Sequence, residues 1–104
     1  MAEWIDVGLA NDCPVGQHII VDTDAGKIAV FHLSQGFYAI EDRCSHDGGE
    51  LASGGCEGDE IICPRHAARF CLRNGKALTP PAYEDIETFP VRIESGMIQV
   101  DIDN

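Results

Sequence analysis

Two short pairs of cysteine and histidine constrain this chain more than any other feature. The first pair is Cys-x-His at residues 44–46, and the second is Cys-x-x-His at residues 63–66. Thiolates and neutral imidazoles together form a common ligand set for transition metals. Because each pair is only three or four residues long, one short loop can carry it, and two such loops can close on one small centre. The pattern therefore predicts a metal site at Cys44, His46, Cys63 and His66.

This ligand pattern resembles that of Rieske-type [2Fe–2S] proteins. The likeness continues into the second loop at residues 63–70, a proline-bearing loop at 79–82, and closing strands at 89–94 and 97–100. The chain is most similar to the soluble Rieske ferredoxins that supply electrons to ring-hydroxylating oxygenases. The resemblance implies one [2Fe–2S] cluster. It places the inner iron on Cys44 and Cys63 and the outer iron on His46 and His66.

Departures from the high-potential members of this family predict a low reduction potential. Those members place Ser and Tyr hydroxyls beside the cluster, whereas the matching positions here are Ala68 and Phe70. They also join the two loops by a disulfide, and its matching positions here are Gly49 and Arg65. Rieske potentials lie between about −150 and +300 mV, tuned by hydrogen bonds to the sulfurs. The resemblance therefore implies a value near the lower limit.

Structural zinc is the alternative occupant of these four ligands, since zinc also accepts two cysteines and two histidines. A zinc finger usually orders its ligands Cys-Cys-His-His, with a helix carrying the histidines. Here the ligands alternate, and Pro64 with β-rich flanks disfavours a helix at the second pair. The iron–sulfur centre is favoured, and a zinc-stapled interaction module stays open as the alternative.

The acidic composition limits the class of partner. The chain has 18 Asp and Glu against 7 Lys and Arg, a formal net charge of −11. Such a field repels nucleic acid and favours transient, salt-sensitive encounters with basic protein surfaces. No stretch approaches the roughly 20 apolar residues of a membrane helix, and the N-terminus has no signal segment. We therefore expect no nucleic-acid or membrane partner and a cytoplasmic location.

Three cysteines remain after the ligands are assigned. Five cysteines are an odd number, which is typical of ligands and buried thiols in a reducing compartment. We expect Cys13 to be a turn or semi-buried thiol and Cys56 and Cys71 to be reduced and packed, and a disulfide between Cys56 and Cys71 stays open as an alternative.

The periodicity of the chain predicts β-structure throughout. Strands are predicted at residues 4–7, 18–22, 27–33 and 37–40, forming an antiparallel meander in which Ile28, Val30 and His32 share a face. Residues 42 to about 80 are predicted to form an inserted cluster-binding lobe. Its expected parts are a turn at 54–59, strands at 60–62 and 69–72, and a hairpin turn at 73–76. Two closing strands are predicted within residues 86–102.

The whole chain of 104 residues is predicted to be one domain, residues 1–104. Its fold class is all-β, an antiparallel sandwich-like scaffold with the inserted lobe. The resemblance implies a monomeric one-electron carrier, not an enzyme by itself, that is reduced by a reductase and oxidised by a terminal oxygenase acting on aromatic rings. The alternative within redox proteins is a small Rieske-like subunit of another oxidoreductase, such as nitrite reductase.

Overall fold

A computed structural model describes residues 2–45, 48–65, 67–80 and 82–103. These residues form three antiparallel sheets and two short 3₁₀ turns, Ala10–Asp12 and Ala52–Gly54, and none of them lies in an α-helix. No helix in these ranges could cross a membrane. The all-β prediction is confirmed. The strands are β1 Trp4–Leu9, β2 His18–Thr23, β3 Gly26–Leu33, β4 Gly36–Glu41, β5 Cys56–Glu57, β6 Glu60–Ile62, β7 Arg69–Cys71, β8 Thr88–Phe89, β9 Val91–Glu94 and β10 Met97–Asp101.

The central sheet has the order β2-β3-β4-β8 and separates two hydrophobic cores. Strand β3 is buried on both faces, because alternate side chains of a strand point to opposite sides. Ile28 and Val30 share a face, as predicted. They enter the core shared with the outer sheet, whereas Ala29 and Phe31 enter the core shared with the ligand loops. One face of the central sheet thus packs against the core that contains Cys44 and Cys63.

The outer sheet has the order β1-β10-β9, which corrects the predicted meander. Strands β2, β3 and β4 do form a meander, but β1 pairs with β10, from Trp4 opposite Asp101 to Leu9 opposite Met97. No two-residue hairpin joins β1 to β2, because the connection contains a 3₁₀ turn and Pro14. The chain therefore leaves β1 without reversing onto it.

In the third sheet, β5-β6-β7, strands β5 and β6 lie between the two predicted ligand pairs in sequence, and β7 follows the second pair. Residues 54–59 were predicted to be a turn, but Cys56 and Glu57 form strand β5 opposite β6, so the turn contains only Gly58 and Asp59. The hairpin turn at 73–76 is confirmed, since the Cys71 N–H donates to the Lys76 carbonyl at 2.9 Å. Its second arm is a single bridge between Phe70 and Ala77.

The closing segment contains three strands where two were predicted. Pro90 separates β8 from β9, since proline has no N–H for the ladder. Strand β8 joins β4 in the central sheet, and β9 joins β10 in the outer sheet. The closing segment therefore links the two scaffold sheets.

Candidate metal centre

The two predicted ligand pairs begin loops that are closed in the same way. In the first ligand loop, residues 44–49, the Cys44 N–H donates to the Gly49 carbonyl at 2.7 Å, and the Gly48 N–H donates to the Cys44 carbonyl at 2.8 Å. In the second ligand loop, residues 63–68, the bonds run from the Cys63 N–H to the Ala68 carbonyl at 2.7 Å and from the Ala67 N–H to the Cys63 carbonyl at 3.0 Å. Each cysteine therefore occupies the same position in an equivalent loop.

The same backbone conformation recurs at the fifth position of both loops. Gly48 has a φ of +76° and Ala67 a φ of +59°. A glycine adopts this left-handed conformation without strain, whereas an alanine pays roughly 1–2 kcal/mol for it. The loops thus share geometry although their histidines stand at different positions in the sequence.

Both cysteines are buried at the junction of the lobe and the central sheet. Cys44 follows β4 and Cys63 follows β6, and their exposed fractions are 0% and 1%. Both belong to the hydrophobic core beneath the ligand loops. The other two predicted ligands, His46 and His66, lie outside the described residues.

The first ligand loop is fastened by a buried carboxylate. Asp42 is 7% exposed, and its Oδ1 accepts the backbone N–H groups of Leu51 at 2.8 Å and Ala52 at 2.9 Å. The chain that enters the loop is thereby tied to the chain that leaves it. Oδ2 of Asp42 is buried and has no hydrogen-bond partner within the described residues. Sequence reasoning missed this residue, although an acidic side chain two positions before a ligand was a usable signal.

The two ligand loops touch each other at Gly49 and Arg65. A Cβ added to Gly49 would lie 2.6 Å from the guanidinium carbon of Arg65, so the exposed Arg65 side chain covers the backbone of Gly49. These are the two positions that the family resemblance matched with a disulfide between the loops. Their contact shows that the ligand loops adjoin at the matched positions.

Gly54 allows the second 3₁₀ turn to pack closely against the end of β6, next to Cys63. A Cβ at this position would lie 1.6 Å from the Ile62 carbonyl oxygen and 3.0 Å from Cδ of Pro64. Only a residue without a side chain permits this spacing. Gly54 therefore lets the 3₁₀ turn pack directly on the chain around Cys63.

A third segment, residues 77–86, closes the site from the side and is called here the cap loop. The Ser45 hydroxyl donates to the Glu84 carbonyl at 2.5 Å, which joins the cap loop to the first ligand loop. Hydrogen bonds also join it to β7, from the Leu78 N–H to the Arg69 carbonyl at 2.8 Å and from the Arg69 N–H to Thr79 Oγ1 at 3.0 Å. Pro81, part of the predicted proline-bearing loop, lies outside the described residues.

Comparison with known proteins decides the family. The family model described as the Rieske [2Fe–2S] domain matches residues 3–90. The chain is a member of the Rieske [2Fe–2S] family.

Relatives of this Rieske protein have ferredoxin names. The 3-phenylpropionate/cinnamic acid dioxygenase ferredoxin subunit of Shigella flexneri serotype 5b (strain 8401) is 45% identical over 92 residues, 88% of this chain and 86% of the relative. A chain in the solved complex of reduced oxygenase and oxidized ferredoxin in carbazole 1,9a-dioxygenase is 30% identical, with a TM-score of 0.88, over 94% of this chain and 92% of that chain.

A nitrite reductase small subunit shares the fold as well. The structure of the putative NADH-dependent small subunit from Mycobacterium tuberculosis has a TM-score of 0.85 at 21% identity, over 97% of this chain and 96% of that chain. At this identity the likeness shows the fold alone. The ferredoxin subunits, in contrast, match in sequence. The Rieske protein is therefore an electron-transfer component and not itself a catalytic oxygenase.

The described residues fit the single Rieske-type [2Fe–2S] cluster that the family implies. Such a cluster needs one cysteine from each of two adjoining loops, and Cys44 and Cys63 are buried at equivalent positions of two loops in contact. Two of the four predicted ligands, His46 and His66, are not among the described residues. Within the described residues, no three His, Cys, Asp or Glu side chains are grouped so that they could hold a metal ion. When bound, the cluster supplies one-electron chemistry.

The remaining cysteines are free thiols, as expected, but the prediction that Cys56 is packed is wrong. Cys13 and Cys71 are buried, Cys56 is exposed, and none of the three forms a disulfide, so the alternative pairing of Cys56 with Cys71 is wrong. Burial raises the pKa of the Cys13 thiol above its ordinary value.

Proposed function

We propose that this Rieske protein carries single electrons from a reductase to the terminal oxygenase of an aromatic-ring-hydroxylating dioxygenase. The observation that carries the proposal is the 45% identity, over 88% of the chain, to the ferredoxin subunit of a dioxygenase for 3-phenylpropionate and cinnamic acid. The similarity to a chain from a complex of oxygenase and ferredoxin supports an oxygenase as the acceptor. The proposal includes a monomeric state and a cytoplasmic location.

The proposed ligands are Cys44 and Cys63 for the inner iron and His46 and His66 for the outer iron. The equivalent loop positions of the two cysteines support the first assignment. The second rests on the Cys-x-His and Cys-x-x-His pattern and on the family's use of two histidines on one iron. Two neutral imidazoles in place of two thiolates make the cluster easier to reduce than a four-cysteine cluster.

Apolar side chains in the second loop support a potential near the lower limit for Rieske clusters. Ala68 and Phe70 are both fully buried, and neither offers a hydroxyl to a sulfur atom. Hydrogen bonds to the sulfurs stabilise the reduced state, so their loss lowers the potential toward about −150 mV. A potential in this region suits a carrier between a nicotinamide- or flavin-linked reductase and an oxygenase. Potentiometry that placed the couple well above 0 mV would contradict this part of the proposal.

Electron paramagnetic resonance of the dithionite-reduced protein tests the ligand set. A [2Fe–2S] signal with the low average g value of mixed His and Cys ligation is expected. The four histidines of the chain provide the control. His46→Ala and His66→Ala should each abolish the signal, whereas His18→Ala, at an exposed position on β2, should preserve it. A zinc-containing or metal-free wild-type protein would overturn the assignment.

Electron delivery tests the function. The protein is reduced with dithionite, freed of excess reductant, and mixed with 3-phenylpropionate, O₂ and the 3-phenylpropionate/cinnamic acid dioxygenase of Escherichia coli from which its own ferredoxin subunit has been removed. Two reduced carriers are needed per product, because dihydroxylation of the ring consumes two electrons. Product formation on mixing, and its absence without this protein, is the expected result. Failure to form product, when the Escherichia coli ferredoxin subunit does restore it, would contradict the proposed acceptor.

A further inference from the structure

Tyr83 projects from the cap loop almost completely into solvent. Its exposed fraction is 83%, the highest among the large hydrophobic side chains in the described part of the chain. Its neighbours in the loop are anchored, since Ala82 and Ile86 are each only 4% exposed. An aromatic ring in this position adds almost no buried area to the fold, because stabilisation by burial scales with the area removed from water. Folding therefore does not explain its presence.

Hydrogen bonds hold the backbone around Tyr83 in place. The Ala77 N–H donates to the Asp85 carboxylate at 2.9 Å, and the Ile86 N–H donates to the Gly75 carbonyl at 2.8 Å. The Ser45 hydroxyl fixes the Glu84 carbonyl. A partner that covers the ring therefore does not have to order the loop, and this lowers the entropic cost of association.

Tyr83 is also next in sequence to the point where the cap loop contacts the first ligand loop. Ser45 directly follows the buried Cys44, and its hydroxyl contacts the residue next to Tyr83. Leu78, 46% exposed, extends the apolar surface along the same loop. Glu84 and Asp85 are exposed next to the ring and add negative charge. The arrangement is an apolar protrusion with an acidic flank, on a loop that is hydrogen-bonded to the loop carrying Cys44.

We propose that Tyr83 is the docking anchor for the terminal oxygenase, inserting into an apolar pocket that is bordered by Lys or Arg side chains of that partner. Tyrosine is one of the residues that most often carries binding energy at protein interfaces, particularly where a ring fills a pocket. The acidic flank selects a basic border by charge complementarity. The inference deepens the proposed function and rests on it.

Exposure alone does not make an anchor, because single apolar residues are common on protein surfaces. Ile93, 43% exposed, is such a residue and provides the matched control. It lies on β9 in the outer sheet, on the opposite side of the central sheet from the ligand loops. The two positions therefore separate an effect of surface apolarity from an effect of location.

Stopped-flow oxidation of the reduced protein tests the anchor. The wild type, Tyr83→Ala, Tyr83→Phe and Ile93→Ala are each mixed with increasing concentrations of the Escherichia coli 3-phenylpropionate/cinnamic acid dioxygenase lacking its own ferredoxin subunit, and the cluster absorbance gives a second-order rate constant. We expect Tyr83→Ala to lower this constant at least tenfold. Tyr83→Phe, which keeps the ring, should stay within threefold of wild type, and Ile93→Ala should not change it.

Two further measurements separate docking from a damaged cluster. The reduction potential and the rate of oxidation by ferricyanide, which has no pocket for a ring, should be unchanged in Tyr83→Ala. If Tyr83→Ala reacts with the oxygenase within twofold of wild type, or slows equally with ferricyanide, the anchor is wrong. If the wild type itself fails to reduce the oxygenase, the proposed function fails with it, and this result is distinct from a loss confined to the variant.

Discussion

Asp42 places a buried carboxylate two residues before Cys44. Two residues span at most about 7 Å of chain, so this group lies close to the metal centre. Its Oδ1 is satisfied by two backbone N–H groups, and its Oδ2 is buried without a partner within the described residues. A negative charge in a region of low dielectric opposes the arrival of an electron nearby. Asp42 therefore fastens the first ligand loop, and we expect its charge to disfavour reduction of the cluster.

Replacement of Asp42 by Asn tests this electrostatic effect. The amide oxygen still accepts the two N–H groups, but the charge is gone. We expect the potential to rise by about 59 mV, a tenfold change in the one-electron equilibrium. Asp101→Asn is the matched control, because Asp101 is 8% exposed and its Oδ1 also accepts two backbone N–H groups, from Glu3 and Asp103, in the outer sheet. Equal shifts in the two redox titrations would refute a local effect of Asp42.

The three cysteines outside the metal centre differ in reactivity. The thiolate is the reactive form, so exposure and a low pKa favour modification. Burial raises the pKa of both the Cys13 and the Cys56 thiols, so exposure is what distinguishes them: Cys56 is exposed, whereas Cys13 is 1% exposed. In native holoprotein at pH about 8, a disulfide reagent should modify Cys56 first and leave Cys13 unmodified until the protein unfolds. Raising the pH should accelerate modification of Cys56, since burial raises the pKa of its thiol and the thiolate fraction grows as the pH rises. Loss of the fast phase in Cys56→Ala identifies the residue, and a fast phase that survived would contradict the assignment.

At the scale of elements, local sequence patterns predicted the positions of strands better than they predicted which strands pair. The alternation in residues 27–33 gave strand β3 and the face of Ile28 and Val30, because both follow from a period of two. The partner of β1 is β10, more than 90 residues away, and no local signal specifies such a pairing. The short strand β5 was hidden in a glycine-rich segment that also contains a turn.

At the candidate site, too, local features could be predicted from the sequence and long-range contacts could not. The motif predicts Cys44 and Cys63 as ligands, since ligand spacing is local in sequence, and this stays a prediction. It did not predict the equivalent closure of the two loops, which depends on backbone hydrogen bonds and on the left-handed conformation of Gly48 and Ala67. The bond from Ser45 to Glu84 spans 39 residues and is equally invisible in the sequence.

Gly54 offers a test of how the elements support the metal centre. Gly54→Ala forces a Cβ to within 1.6 Å of the Ile62 carbonyl oxygen, so the chain leading to Cys63 must shift. We expect a loss of at least about 3 kcal/mol, which lowers the melting temperature by roughly 12 °C or more in a domain of this size, together with loss of bound iron. Gly58→Ala is the control, because its φ of +59° costs about 1–2 kcal/mol but a Cβ there meets no atom within 4 Å. Calorimetry and iron analysis measure both effects. Equal losses in the two variants would show that the close approach of Gly54 is not what supports the site.

At the scale of the whole molecule, two hydrophobic cores lie on opposite faces of the central sheet, and among the described residues only one of them contacts the ligand loops. The core shared with the outer sheet contains Ile98 and Val100, and the core beneath the ligand loops contains both cysteines. The outer sheet therefore stabilises the scaffold without contributing to the site. The proposed partner contacts at the cap loop would leave the far core undisturbed, which is the arrangement expected of a carrier that must bind and release quickly.

The net charge of −11 acts on every encounter and gives the last prediction. Charges interact over a Debye length that falls from about 30 Å at 0.01 M salt to about 3 Å at 1 M. Attraction to a basic docking surface is screened by salt, so the second-order rate constant with the oxygenase should fall about tenfold across this range. The reaction with ferricyanide, an anion, should accelerate instead, because salt screens a repulsion.

Glu84→Gln and Glu94→Gln remove the same charge from the cap loop and from β9, both at exposed positions. A steeper loss of the oxygenase rate in Glu84→Gln is expected because Glu84 lies at the docking surface. Identical rates in the two variants, or a rate with oxygenase that is insensitive to salt, would show that the acidic surface does not guide this encounter.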